Sequence, residues 1–237
     1  MKNMAAFVLT GLALLSVALP SQAADPVDIP PDGPVSVEGT GWYLSVFAGG
    51  AWPGFADFTY DGDDEISEIG TLAGWTAGVA LGTRLTDMAR VEIEFSHVSQ
   101  EYDVVYEPNG DPNDYGGKID ATYMLGNVWL DFDTGSAFTP YVGAGLGGAL
   151  VSLDDVDGWF DSASVWDGFG VAYQVGAGVM FEVSENVSLD LGYRFKGVAG
   201  AQIDNLDAPN TNTSDSCCLA ELSLGNHVVQ VGATVGF

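Results

Sequence analysis

Cysteine is almost absent from this chain. Its 237 residues hold two, Cys217 and Cys218, adjacent in a polar stretch. That pair suits no common zinc spacing and staples no long loop, so no metal centre or disulfide framework is expected to organise the fold. A vicinal disulfide, an intermolecular bond and free thiols all remain open for them. Basic residues are nearly as scarce: 6 Lys and Arg stand against 33 Asp and Glu, a formal net charge of −27. Nucleic acid is bound through clustered Lys and Arg, which excludes it as a partner. Also missing, beyond the N-terminal segment, is any uninterrupted apolar run of about 18 residues, so no helical membrane anchor is expected.

The N-terminus reads as an export signal. Lys2 gives a small basic start and Ala5 to Leu19 is an apolar run too short to span a bilayer. Ser21-Gln22-Ala23 supplies the small residues a signal peptidase reads, which predicts cleavage after Ala23. Residues 24–40 are proline-rich with little apolar periodicity, and are expected to form an extended periplasmic lead-in. The remaining 41–237 is one all-β domain.

What the chain has in quantity is alternation. In the stretch Ala172 to Phe195, Tyr173, Val175, Ala177, Val179 and Phe181 share one face. Gln174, Gly176, Gly178 and Glu182 share the other. After the polar turn Ser184-Glu185-Asn186, Leu189, Leu191, Tyr193 and Phe195 alternate with Ser188, Asp190, Gly192 and Arg194. A period of two is the signature of strands, because successive side chains point to opposite faces.

The same pattern recurs along the chain. Strands are expected at Gly41 to Trp52, Gly70 to Leu85, around Val91 to Phe95, Lys118 to Asp133, Pro140 to Val151 and Glu221 to Phe237, besides the pair just described. In the Lys118 to Asp133 strand, Met124, Val128, Leu130 and Phe132 are placed outward and Asn127 and Asp131 inward. Three short turns, at Thr86 to Met88, Thr134 to Ala137 and Ser184 to Asn186, alternate with four long polar loops. Two of those loops are strongly acidic, one with Asp57, Asp61, Asp63, Asp64, Glu65 and Glu68, the other with Asp154, Asp155, Asp157 and Asp161.

Strands of at least ~9–11 residues can cross a bilayer at a tilt. An apolar face turned to lipid requires closure, since an open sheet edge would leave backbone groups unpaired in hydrocarbon. The expected fold is therefore all-β: an eight-stranded antiparallel up-and-down transmembrane barrel, with short turns on the periplasmic side. The 32 glycines then fit where inward space is short or the wall bends.

The strings PYVGAGLGGAL, AYQVGAGVMFEVSENVSLDLGYRF and HVVQVGATVGF resemble the opacity-protein-like, or OmpA-like, outer-membrane β-barrel (porin) family across nearly all of Gly41 to Phe237. The resemblance implies the fold and a Gram-negative outer-membrane location. It also makes the terminal Phe237 a C-terminal signal for the barrel-assembly machinery. It implies little about activity.

The lumen-facing charges are the main site expectation: Arg84, Arg90, Glu92, Glu94, Glu182, Asp190 and Arg194. They read either as a structural ion-pair network or as a pore lining, and eight strands leave a lumen that side chains fill. No catalytic, metal or cofactor-binding residue is assigned, and no cofactor is expected. His97-Val98-Ser99, with Glu101 on the same face, faintly resembles the His-x-Ser of outer-membrane lipid A deacylases; Gln100 replaces that family's asparagine. Asp61-Gly62-Asp63-Asp64-Glu65 lacks calcium-loop spacing, so diffuse attraction of divalent cations is expected there. The six tryptophans are expected in interfacial girdles.

These features point to a non-enzymatic outer-membrane protein for envelope integrity and surface interaction or adhesion through acidic loops. Its expected partners are outer-membrane lipid and lipopolysaccharide, the assembly machinery and an extracellular ligand or surface. A narrow cation-preferring channel is the alternative, and a lipid A acyl hydrolase the third reading.

Overall fold

The computed structural model describes residues 41–60, 67–106, 110–114, 116–155, 164–205 and 219–237. The expected signal and lead-in, both cysteines, Trp159 and the Asp61 to Glu65 run lie outside the described residues. Ten strands follow in chain order: β1 (Trp42–Tyr60), β2 (Ser67–Thr71), β3 (Gly74–Arg84), β4 (Ala89–Tyr106), β5 (Pro112–Asn113), β6 (Gly117–Asp131), β7 (Phe138–Asp155), β8 (Ser164–Ser184), β9 (Val187–Asn205) and β10 (Leu219–Gly236). Every pairing is antiparallel, and β10 returns to pair with β1 from Tyr43↔Gly236 to Tyr60↔Ala220. The ring β1-β3-β4-β6-β7-β8-β9-β10 is thereby closed with eight strands.

Two short strands extend it at the loop end. β2 fits between β1 and β4 above the point where β3 ends, and β5 adds to β4. Three tight turns lie at the other end. Gly135, at φ +66°, closes one of them, where its N–H donates to Asp133 Oδ1 at 2.8 Å.

In the lower part of the barrel the alternation places side chains as the sequence predicts. Leu44, Val46, Val79, Leu81, Ile93, Phe95, Met124, Val128, Leu146, Val175, Leu191 and Val231 all stand exposed on the outer wall. Such a continuous apolar band belongs in lipid. Aromatic rings bound it, with Trp42, Phe132, Phe138, Phe181 and Phe237 on the turn side and Trp52, Trp75 and Phe169 on the loop side. From Trp42 to Trp52 a strand rising about 3.3 Å per residue at a tilt of roughly 40° climbs about 25 Å, the height of a barrel's lipid band.

Trp129 corrects the girdle expectation. It is fully buried inside the lumen, because it shares the face of Asn127 and Asp131. Its ring lies over Gly143, where a Cβ would overlap it; Tyr43 similarly covers Gly82. These inward glycines are floor space for aromatic side chains.

The strands also run further than the alternation shows. β1 continues to Tyr60, β4 to Tyr106, β7 to Asp155 and β9 to Asn205, through segments expected to be loop. In this upper storey the chemistry of the two faces exchanges, while on β6 and β7 the inward positions stay odd-numbered throughout. On β6, Ile119, Ala121 and Tyr123 are buried inward, while Lys118, Asp120 and Thr122 face out. On β7, Val151 and Leu153 point in and Ser152 and Asp154 out.

On other strands bulges also shift the period. The β1–β10 register shifts between Pro53 and Phe55, and the β9–β10 register between Leu222 and Leu224. Opposite the latter, Gly200 takes φ +58° and donates its N–H to Ser223 Oγ at 3.0 Å, a left-handed bulge that glycine permits. Each extra residue moves the inward set from odd to even positions or back. The inward residues of this storey form an apolar core of Ala56, Phe58, Val98, Tyr102, Tyr123, Leu153, Ile203, Leu222 and their neighbours, filling the loop-side half of the barrel.

Candidate functional site

The lumen has two layers. Below the apolar core, inward charges form one continuous network. Asp131, buried on β6, bridges two guanidinium groups: Arg90 Nε donates to its Oδ1 at 3.0 Å and Arg84 Nη1 to its Oδ2 at 3.1 Å. Arg90 also lies 3.8 Å from Glu92 Oε2 and stacks over the Tyr141 ring at 4.9 Å. Glu92 accepts from Tyr43 Oη at 3.0 Å, Trp129 Nε1 at 2.7 Å and Asn127 Nδ2 at 3.0 Å.

Deeper in, Glu94 is the centre of a second knot. It accepts from Ser96 Oγ at 2.7 Å, Gln174 Nε2 at 2.8 Å and Asn127 Nδ2 at 3.0 Å, and it pairs closely with Lys196 across the barrel. Lys196 has no exposed surface. It donates further to Ser96 Oγ at 2.8 Å and sits between the rings of Phe47 and Tyr123. Arg194 stacks over Trp129 at 4.2 Å and donates to Tyr141 Oη at 2.9 Å.

The structure thus brings together Arg84, Arg90, Glu92, Glu94, Asp190 and Arg194 from the predicted set. Glu182 is displaced from it: it stands exposed at the turn-side mouth, one hairpin turn from solvent. Lys196 and Asp131 complete the network. With them, the inward Arg90, Arg194 and Lys196 face Glu92, Glu94, Asp131 and Asp190, and Arg84, half exposed at the turn-side mouth, supplies the fourth positive charge. Burying one sign alone would be prohibitive. Alternation signals an inward Lys196 as clearly as Arg194, while the partners Asn127, Gln174, Tyr43 and Trp129 carry no charge pattern to announce them.

The turn-side mouth opens into a polar vestibule of about 710 Å³, lined by Arg84, Asp87, Asp133, Glu182, Glu185 and others. Above the network, the apolar core closes the lumen.

His97, the one enzymatic temptation, is engaged elsewhere. Its Nδ1 lies 2.9 Å from Thr122 Oγ1 and its Nε2 3.4 Å from Asp120 Oδ1, both on neighbouring β6. Ser99 is buried on the next outward position, and no His97–Ser99 bond forms. A nucleophile requires its base within hydrogen-bond reach, and here both ring nitrogens point to β6.

The outer wall of the upper storey is acidic. Glu68, Glu101, Asp103, Asp167 and Glu221 are exposed on it, with Lys118 held by Asp120 at 2.7 Å. Asp57 stands directly opposite Glu68 in the β1–β2 register. Partial burial, then the Glu68 carboxylate, pushes Asp57 up from the ordinary aspartate value. The folded state therefore takes up the proton more readily than the unfolded chain. Pairing of β2 should strengthen as pH falls through the raised value towards the ordinary aspartate range, and weaken as pH rises again. Amide-exchange protection of Ile69, measured across this range, should rise on acidification and lose that pH dependence in Asp57→Asn.

Known proteins share this architecture. A family model for the outer membrane protein β-barrel domain matches residues 10–237. An uncharacterized protein of Brucella abortus is 26% identical over 205 residues, covering 70% of this chain and 71% of its own. An adhesin candidate of Rickettsia conorii is 28% identical over 169 residues, covering 65% and 67%. The crystal structure of the outer membrane protein OprG from Pseudomonas aeruginosa superposes with a TM-score of 0.53 at 15% identity, covering 84% of this chain and 98% of that one. Closed ring, lipid band and family match agree, and the chain belongs to the outer membrane protein β-barrel family, located in the outer membrane.

Proposed function

We propose that this protein is a non-enzymatic, non-conducting barrel that displays an acidic surface for interaction or adhesion. One observation carries the reading. The strands continue past the lipid band into a storey with apolar residues inside and carboxylates outside. A transmembrane anchor alone does not need this storey; a rigid pedestal for surface contacts does. The likeness to a Rickettsia adhesin candidate supports the same direction. The partner's contacting surface is basic, or is bridged by divalent cations to the phosphates of lipopolysaccharide. Phe237, whose N–H closes the ring on the Trp42 carbonyl at 3.0 Å, is the group we assign to recognition by the assembly machinery.

The test uses cells displaying the intact chain. Retention on an amine-coated surface should exceed that of cells lacking it. It should fall in a variant carrying Glu101→Gln, Asp103→Asn, Asp167→Asn and Glu221→Gln at equal surface expression. Equal retention of all three would overturn the reading.

The filled lumen sets this apart from the channel alternative. Refolded barrel in a planar bilayer should give no reproducible conductance steps, with folding confirmed by a heat-dependent gel shift. Cation-selective steps would restore the channel and make Glu92, Glu94, Asp190 and Arg194 its lining.

A further inference from the structure

Of the lumen atoms without a hydrogen-bond partner among the described residues, which include Tyr123 Oη and Gln174 Oε1 deeper in, three belong to residues around one cavity: Asp190 Oδ2, Gln230 Oε1 and Arg194 Nε. Gln230 is 4% exposed and Arg194 5%. All three residues line a single internal cavity of about 30 Å³, which lies beside Glu92 and Glu94 and above the Ser45–Thr234 hydroxyl contact of 2.7 Å. Leaving a buried donor or acceptor unmatched is costly. Three in one chamber point to an occupant.

The donor and acceptor count identifies its chemistry. Two acceptors, a carboxylate oxygen and an amide oxygen, need hydrogen atoms, and one guanidinium N–H needs a lone pair. A metal cation could satisfy the oxygens, but the Arg194 N–H would face it with like charge. An anion would meet Asp190. Water supplies two donors and an acceptor, and buried waters typically make about three hydrogen bonds. The volume holds about one or two of them.

The route in is visible on one side only. Arg90, Met180 and Thr234 line both this cavity and the turn-side vestibule, so the two are neighbours separated by those side chains. Towards the loops, Lys196 and then the apolar core of Tyr123, Val198 and Leu222 close the lumen. We propose that Asp190, Arg194 and Gln230 form an internal water site filled from the periplasm, making the barrel a blind aqueous pocket, wet from below and dry from above. Water and protons reach the buried charge network from one face, and nothing passes through.

Two measurements test this. In the refolded full barrel, NMR magnetisation transfer from water to the Arg194 Nε–H should be direct, and absence of transfer would overturn the water site. In a Cys217→Ser, Cys218→Ser background in nanodiscs, single cysteines at Ser188, Thr234 and Val198 report depth through reaction with a charged methanethiosulfonate. Thr234→Cys should react within about tenfold of the vestibule site Ser188→Cys. Val198→Cys should be slower by about a hundredfold or more, as for a site reached only through local opening. Equal rates at Val198 and Thr234 would mean a lumen open to the loops, and an inert Thr234→Cys would mean a dry one. Where a cysteine variant does not fold, the NMR measurement on the unsubstituted chain decides.

Discussion

Replacing Lys196 by methionine is expected to destabilise the barrel by about 3–5 kcal/mol, the cost of stranding a buried charge. Glu94 would keep its bonds to Ser96, Asn127 and Gln174 yet lose the one cation that pairs with it among the described residues, beneath the apolar core. The double variant Glu94→Gln, Lys196→Met should recover most of the loss, because a neutral amide can hold the same neighbours and methionine fills the space between Phe47 and Tyr123. Urea unfolding in lipid vesicles measures both. A double variant as unstable as the single would show that Lys196 acts by packing, not by charge.

Three substitutions along β7 should separate the two storeys by their effects. Leu146, the middle outward residue of its apolar run, meets lipid. An arginine there should cost about 2–4 kcal/mol, as charges do near the bilayer midplane. Ser152 faces outward above the band, where an arginine should change stability by no more than about 0.5 kcal/mol. Leu153, its neighbour, is fully buried in the upper core, and its truncation to alanine should cost about 2–5 kcal/mol through lost burial and a cavity. A large penalty for Ser152→Arg would place the upper storey in the membrane and remove the pedestal.

Much of this molecule was legible in its residues. Period-two alternation at transmembrane length marked the lower strands, their outward apolar faces and the three tight turns, because lipid on one side and a polar lumen on the other force opposite chemistry onto adjacent residues. The same logic placed Arg84, Arg90, Glu92, Glu94, Asp190 and Arg194 inside. Glu182 followed the face correctly, but its height along the strand, which alternation does not encode, leaves it at the mouth.

The upper storey was hidden for a physical reason. Once a strand leaves the lipid band, water wets its outer wall, and the apolar residues belong inside. The phase of the pattern therefore reverses, and bulges at Pro53–Phe55 and opposite Leu222–Leu224 break it as it does so. What looks like a fading strand in the sequence is a strand whose solvent has changed.

Sequence by itself determined the fold, the facing of the lipid band and the confinement of nearly all basic residues to strands. These follow from local alternation and composition. Tertiary structure alone decided which charges meet, since Glu94 and Lys196 are 102 positions apart and come together only when the ring closes. It also decided that an apolar core fills the loop-side half of the lumen, because that core is assembled from side chains of β1, β2, β4 and β6 to β10 that only ring closure brings together.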